Sequence, residues 1–344
     1  MVLATEQVTV AKVGVLGAGA WGTALAIHLA KVGHQVALWS HNAEQAAKLN
    51  AERENSRYLP NIALPENLTV SSDIEAVLDQ AQAVLCVVPS HAFRATLEQI
   101  KSLIAAQVHL AWATKGFEPQ SKKLLHEVAQ EVLGEQVRMT VLSGPTFAEE
   151  VAKGLPTAMV SASNQEDEAQ YWADLFHGEN FRMYTQSDMV GVEVGGAYKN
   201  IMAIATGVSD GLNMGANARA ALVSRGMVEM MRFSQALGGQ TETIMGLAGL
   251  GDLVLTCTDD LSRNRRFGFG LARGDLSAEQ VMEEIGQVVE GVKAVRTVKQ
   301  LADSLNVELP IMQQVYLLVE EKITPLQAVQ ALMSRSGKAE ALQE

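Results

Sequence analysis

Val13-Gly14-Val15-Leu16-Gly17-Ala18-Gly19-Ala20-Trp21-Gly22 decides how the first half of this chain folds. An apolar, strand-like run closes on glycines at 17, 19 and 22, and a helical pattern follows over 23–31, with Leu25, Ile27 and Leu29 apolar and Gly33 placed to cap it. A second strand over 35–39 completes a βαβ unit. In that setting Gly17 permits the tight turn, Gly19 lets backbone N–H groups approach a pyrophosphate, and Gly22 lets the helix pack on the strand. The stretch reads as a dinucleotide-binding loop whose phosphates sit at the positive end of a helix.

Further strands are predicted at 68–70, 83–88, 108–113, 139–142, 157–160 and 181–184, with helical patterns between several of them. Such alternation implies a mostly parallel sheet, and fully apolar runs such as 83–88 suit strands covered on both faces. From about residue 190 the chain turns rich in Ala, Met, Leu and Gly at helical spacing, as over 218–237 and 281–305. The expected architecture is an α/β N-terminal Rossmann-like domain, residues 1–188, followed by an all-α domain, residues 189–344. The tail from 334 is polar enough to be loosely held.

With 344 residues, 48% of them hydrophobic, the chain can bury a core and make about two domains. A net charge of −12 argues against nucleic-acid or acidic-membrane partners, so any bound phosphate must meet local cations. Two cysteines without a CxxC pair suit a reducing compartment. Residues 1–12 lack a signal-like pattern, and no apolar run approaches the ~20 residues that span a bilayer. A cytoplasmic protein without a membrane span is expected. No HExxH motif is present, so metal catalysis has no support.

In open parallel sheets ligands bind beyond the C-terminal strand ends. Pro89-Ser90-His91, Thr114-Lys115-Gly116 and Ser143-Gly144-Pro145-Thr146-Phe147-Ala148 occupy such places. Lys115 is either a solvated loop lysine or a substrate contact. Lys199, in Gly195-Gly196-Ala197-Tyr198-Lys199-Asn200-Ile201-Met202, has no carboxylate among its helical neighbours. It either snorkels from a core helix or lies desolvated in a cleft, where a lowered pKa suits a general acid. Gly246-Leu247-Ala248-Gly249-Leu250-Gly251-Asp252 follows no strand and is not a second nucleotide loop; Asp252 caps a helix or orients a lysine. Ser262-Arg263-Asn264-Arg265-Arg266 is either a phosphate clamp or a solvated face paired with Asp259 and Asp260. After the second strand, Trp39-Ser40-His41-Asn42 offers no carboxylate to repel a 2′-phosphate, so NADP is accepted beside NAD.

Read together with Gly286-Gln287-Val288-Val289-Glu290-Gly291, these motifs closely resemble, in order and over nearly the whole chain, the biosynthetic NAD(P)-dependent glycerol-3-phosphate dehydrogenase family of bacteria. The resemblance implies reversible reduction of dihydroxyacetone phosphate to sn-glycerol 3-phosphate, feeding glycerophospholipid synthesis. It also implies a homodimer and a C-terminal domain like that of 6-phosphogluconate dehydrogenase. Carried over by position, Lys199 is the proton donor and acceptor at the C2 oxygen, and Asp252 hydrogen-bonds near it. Lys115 meets substrate and cofactor, Gly144, Thr146 and Asn200 contact the substrate, and Arg263 and Asn264 hold its phosphate with Ser262 beside them. Gly17, Gly19, Ala20, Trp21, Gly22, His41, Lys115, Ala148, Arg263, Val288 and Glu290 touch the nicotinamide cofactor. Ala20 replaces a serine common in the family, which leaves pyrophosphate binding there to backbone amides. Two other readings share the glycine loop: a sister dehydrogenase of a 3-hydroxy acid or sugar phosphate, which does not require the arginine cluster, and a non-catalytic NAD(P)-sensing regulator, for which no partner-binding module is evident.

Overall fold

The computed structural model describes residues 10–105 and 107–335; the readings of residues 1–9 and of the tail beyond 335 lie outside them. The chain forms two compact units. The first holds the chain up to Thr114 with His126–Leu142 and Thr146–Ser187, and the second holds Lys115–Leu125, Ser143–Pro145 and everything from Asp188 onward.

In the first unit the strands are β1 (Lys12–Leu16), β2 (Gln35–Trp39), β3 (Glu54–Asn55), β4 (Leu59–Ala63), β5 (Leu68–Ser71), β6 (Ala83–Cys86), β7 (His109–Trp112), β8 (Met139–Ser143), β9 (Thr157–Ala162) and β10 (Phe181–Gln186). Eight make one sheet in the order β10-β9-β8-β7-β6-β1-β2-β5. The β1–β2, β1–β6, β2–β5, β6–β7, β7–β8 and β9–β10 pairs are parallel. The chain runs outward from β1 through β2 to β5, then returns to β6 on the other side of β1. That reversal opens a crevice at the C-terminal end of β1, where the glycine loop begins. Val13, Val15 and Leu16 are fully buried, as a strand covered on both faces demands.

Three local features differ from the sequence reading. The first helix spans Ala20–Lys31, because Gly19 already has the extended geometry of an N-cap; Val32 closes it and Gly33 follows at positive φ. The antiparallel β3–β4 hairpin was not anticipated, since its polar residues show no alternating pattern. The stretch over 281–305 is two helices, Ala278–Ile285 and Glu290–Leu305, because Gly286 takes φ 65° and ends the first.

The second unit is helical and built around Met189–Gly211, whose first amides Asp188 caps by accepting from Gly191 N at 2.9 Å. Residues 191–209 of this helix are buried, so it is a core element surrounded by other helices rather than an amphipathic surface one. It packs most extensively against the Arg263–Ala272 helix. A Cβ on Gly207 would overlap the Arg265 carbonyl, and one on Gly268 would overlap the Ile204 carbonyl. Reciprocal glycines therefore let two backbones touch where side chains would hold them apart. Opposite this crossing, the Tyr198 hydroxyl donates to Glu229 at 2.9 Å, and Glu229 accepts Ile311 N (2.7 Å) and Met312 N (3.2 Å) at the head of the Pro310–Val319 helix. Burial raises the pKa of both Tyr198 and Glu229. Among the described residues no helix is long and apolar enough to cross a membrane.

Gly268→Ala forces a methyl into the Ile204 carbonyl, and the expected cost is about 1–3 kcal/mol. Urea unfolding measures it; an unchanged midpoint would mean that the crossing is not tightly packed.

Candidate active site

In the first unit the glycine loop has the geometry of a phosphate cradle. Gly17 adopts φ 121°, a Cβ there would come within 2.7 Å of the Val87 carbonyl oxygen, and its N–H donates to Trp39 O at 3.0 Å. A Cβ on Gly22 would overlap the Gly17 carbonyl, whereas one on Gly19 would meet nothing within 4 Å. No side chain caps the Ala20–Lys31 helix, so its first amides are left to an anion in the loop mouth. The cradle fits the pyrophosphate of a dinucleotide. Trp21 is half-buried on the first helical turn, and His41 is exposed just beyond β2, 6.5 Å from the Trp39 ring. Thr146 and Ala148 also belong to this unit, Ala148 opening the short Ala148–Lys153 helix.

In the second unit two lysines meet one carboxylate. Lys115 Nζ lies 2.7 Å from Asp252 Oδ2 and donates to Gly144 O at 3.3 Å, while Lys199 Nζ donates to Asp252 Oδ1. Asp252 is fully buried and Lys199 nearly so. The approach is made by backbone geometry. A π-helical turn over Leu247–Gly251 delivers Asp252 as the first residue of the Asp252–Thr258 helix, and Gly195 is bare where the Ala248 carbonyl passes. Of the two roles open to Asp252, the structure selects the orienting one: its carboxylate faces the lysines. Burial pulls the Lys199 ammonium down to about 7; Asp252 works against that shift and Lys115 adds to it.

The arginine cluster divides by helical face. Ser262 caps the Arg263–Ala272 helix by accepting from Arg265 N at 3.3 Å. Arg265 is buried in ion pairs with Asp260 and, at 2.6 Å, with Asp210, which also receives Arg219. The pairing with Asp260 is thus present, with a buried guanidinium and an exposed carboxylate. Arg263 and Arg266 stay exposed, and Arg263 Nη1 reaches Gln287 Oε1 at 3.3 Å. Asn264 is buried: its amide donates to Asn200 Oδ1 and its Oδ1 accepts Gly291 N, both at 2.8 Å. A chain of hydrogen bonds therefore runs from the residue next to Lys199, through the head of the arginine helix, to the start of Glu290–Leu305. Glu290 is half-buried there and Val288 is exposed.

The structure thus gathers Lys115, Gly144, Lys199, Asn200, Asp252, Ser262, Arg263, Asn264 and Glu290 in one unit and Gly17, Gly19, Ala20, Trp21, Gly22, His41, Thr146 and Ala148 in the other. Sequence reasoning missed Thr256, whose hydroxyl donates to Asp252 O at 2.6 Å and lies 3.4 Å from Asp252 Oδ1. Its only signal is a spacing of four from Asp252 on one helix. The link from Arg263 to Gln287 had no signal, being set by tertiary packing.

Residues 12–169 match the family model of the NAD-dependent glycerol-3-phosphate dehydrogenase N-terminus, and residues 188–330 match that of its C-terminus. The chain belongs to the NAD-dependent glycerol-3-phosphate dehydrogenase family. It is similar to glycerol-3-phosphate dehydrogenase (NAD(P)+) of Hydrogenovibrio crunogenus, with 62% identity over 99% of each chain. The same named enzyme of Pseudoalteromonas translucida is 50% identical over 99% of this chain and 100% of its own. In structure the chain resembles glycerol-3-phosphate dehydrogenase of Coxiella burnetii, with a TM-score of 0.91 and 47% identity over 95% of this chain and 99% of that one. Membership gives the glycine cradle its ligand class, a nicotinamide dinucleotide, NAD or NADP.

Proposed function

We propose that the protein reduces dihydroxyacetone phosphate reversibly to sn-glycerol 3-phosphate, the polar backbone of glycerophospholipids, and that the lysine pair on Asp252 carries the chemistry. A reduced nicotinamide, when bound, would supply a hydride to the C2 carbonyl carbon. As that bond forms, negative charge grows on the C2 oxygen, and Lys199 gives it a proton, leaving a neutral amine hydrogen-bonded to Asp252. A pKa near 7 lets the same side chain take the proton back in the oxidation direction. Lys115, beside the same carboxylate, adds positive potential at the developing oxyanion. Arg263 holds the substrate phosphate as a fork, with Asn264 and Ser262 beside it, and this remote grip orients the carbonyl. Gly144, Thr146 and Asn200 contact the rest of the substrate. On the cofactor side, Gly17, Gly19, Ala20, Trp21 and Gly22 take the pyrophosphate through backbone amides, and the family resemblance makes His41, Ala148, Lys115, Arg263, Val288 and Glu290 its further contacts. Residues 1–188 then serve as the dinucleotide-binding domain and 189–344 as the catalytic one. A cytoplasmic homodimer is the assembly and location we infer, from the family resemblance and from two cysteines that are both buried and unpaired.

Oxidation of NADPH and NADH by the purified protein tests the reaction, with unphosphorylated dihydroxyacetone as control. Fast turnover is expected only with the phosphate ester; no turnover with either coenzyme would sink the assignment. Lys199→Ala is expected to lower kcat by about 10²–10⁴-fold while the coenzyme still binds, and Arg263→Ala to raise chiefly the substrate KM. Near-normal turnover in the first, or an unchanged KM in the second, removes that residue from its role.

The pH dependence has a definite sign. Reduction needs the Lys199 ammonium, so its kcat/KM falls as pH rises through about 7, and oxidation falls as pH drops through the same range. Asp252→Asn withdraws the carboxylate that favours the charged form and moves this limb to lower pH. Lys115→Met removes a competing cation and moves it to higher pH. Shifts in the same direction, or none, would show that Lys199 is not the titrating group.

A further inference from the structure

Ala18 brings no functional side chain to the glycine loop, yet its carbonyl accepts two side-chain amides: Asn55 Nδ2 at 3.1 Å and Gln45 Nε2 at 2.9 Å. Asn55 is only 3% exposed, and the same Nδ2 donates to Thr23 Oγ1 at 2.8 Å in the first turn of the Ala20–Lys31 helix. The β3–β4 hairpin holds it there, closed by Tyr58 N donating to Asn55 O at 3.0 Å. Gln45 is held in turn by Ser40 Oγ, which donates to its Oε1 at 2.8 Å from the end of β2.

These contacts bear on the direction of one peptide group. In a planar trans peptide the C=O of Ala18 and the N–H of Gly19 point in opposite directions. Holding the carbonyl against Asn55 and Gln45 turns the Gly19 N–H the other way, and the loop is open at this residue: Gly19 is exposed, and a Cβ added to it would meet nothing within 4 Å. Gly19, which accepts either sign of φ, leaves that peptide little resistance of its own to flipping, and a flipped peptide would present a carbonyl oxygen to an anion.

We infer that Asn55, assisted by Gln45, is a positioning residue for the cofactor: it fixes the Ala18–Gly19 peptide with its N–H aimed at the pyrophosphate. This rests on the reading that the glycine loop holds the dinucleotide. Asn55→Asp sets an acceptor against the Ala18 carbonyl, and Asn55→Leu removes the donor without adding charge. Both are expected to weaken NADPH binding about tenfold or more, from an unsatisfied buried acceptor. kcat at saturating coenzyme should stay near the wild-type value.

The test is NADPH titration by fluorescence on the wild type and both variants, with ADP-ribose and 2′-AMP as competitors. ADP-ribose, which keeps the pyrophosphate, is expected to lose affinity in parallel with NADPH; 2′-AMP, which lacks it, is expected to bind all three proteins alike. Equal loss for both competitors would mean general damage to the domain and overturn the inference, as would unchanged NADPH affinity. If neither variant folds, Gln45→Met on the half-buried second donor decides: a selective loss of NADPH affinity supports the inference and none overturns it. Failure of the wild type itself to bind NADPH would instead overturn the reading of the loop.

Discussion

A single carboxylate with no exposure to water holds two ammonium groups, and the second unit is arranged to make that tolerable. Lys199 and Lys115 set two basic groups against the one carboxylate of Asp252 in a buried place, an imbalance that by itself is unfavourable. Substrate chemistry of the proposed kind turns the imbalance to use. A ketone oxygen gaining negative charge is the group that such a site lacks, and desolvated Lys199 gives up its proton more readily than a lysine in water.

The rest of the unit follows from the need to bring these groups together. Lys199 sits within a helix too buried to have a solvent face, so its partner must come from another segment. The π-turn before Asp252 and the bare flank at Gly195 supply one such approach; the reciprocal glycines at 207 and 268 supply another. The second crossing brings Asn264 against Asn200 and carries Arg263 on the same helix head. Lys199 and Arg263, the proposed proton donor and phosphate grip, are thereby referred to one crossing of helices, so their spacing is set by backbone packing rather than by flexible side chains. In the first unit the same economy applies to the glycine loop, where the Val87 carbonyl leaves no room for a side chain at Gly17 and the Gly17 carbonyl none at Gly22.

Much of this was legible in the sequence for specific reasons. Apolar runs and glycine spacing revealed β1, the loop and the parallel sheet, because strands buried on both faces have no polar alternation to obscure them. Lys199 stood out as a charge on an otherwise apolar helix. Pairings across long stretches of sequence were not legible: nothing local to Asp252 says that it meets residues 115 and 199, and its capping and orienting roles look alike in one dimension. The arginine run misled in part because adjacent helical residues point about 100° apart, which sends Arg265 inward to Asp210 while Arg263 faces water. The β3–β4 hairpin escaped because the two residues of β3 carry no period and β4 does not alternate, and Asn55 escaped with it.

Packing between one carboxylate and another lysine lowers the Lys199 pKa toward neutrality. Nitrogen-detected NMR of protein labelled with ¹⁵N-lysine, titrated across the neutral and alkaline range, measures this without reference to turnover. One ammonium is expected to titrate at about 7 and to vanish in Lys199→Met. If every lysine instead keeps its proton to the ordinary alkaline range, Lys199 is not poised to exchange a proton at neutral pH, and the account of the site is wrong.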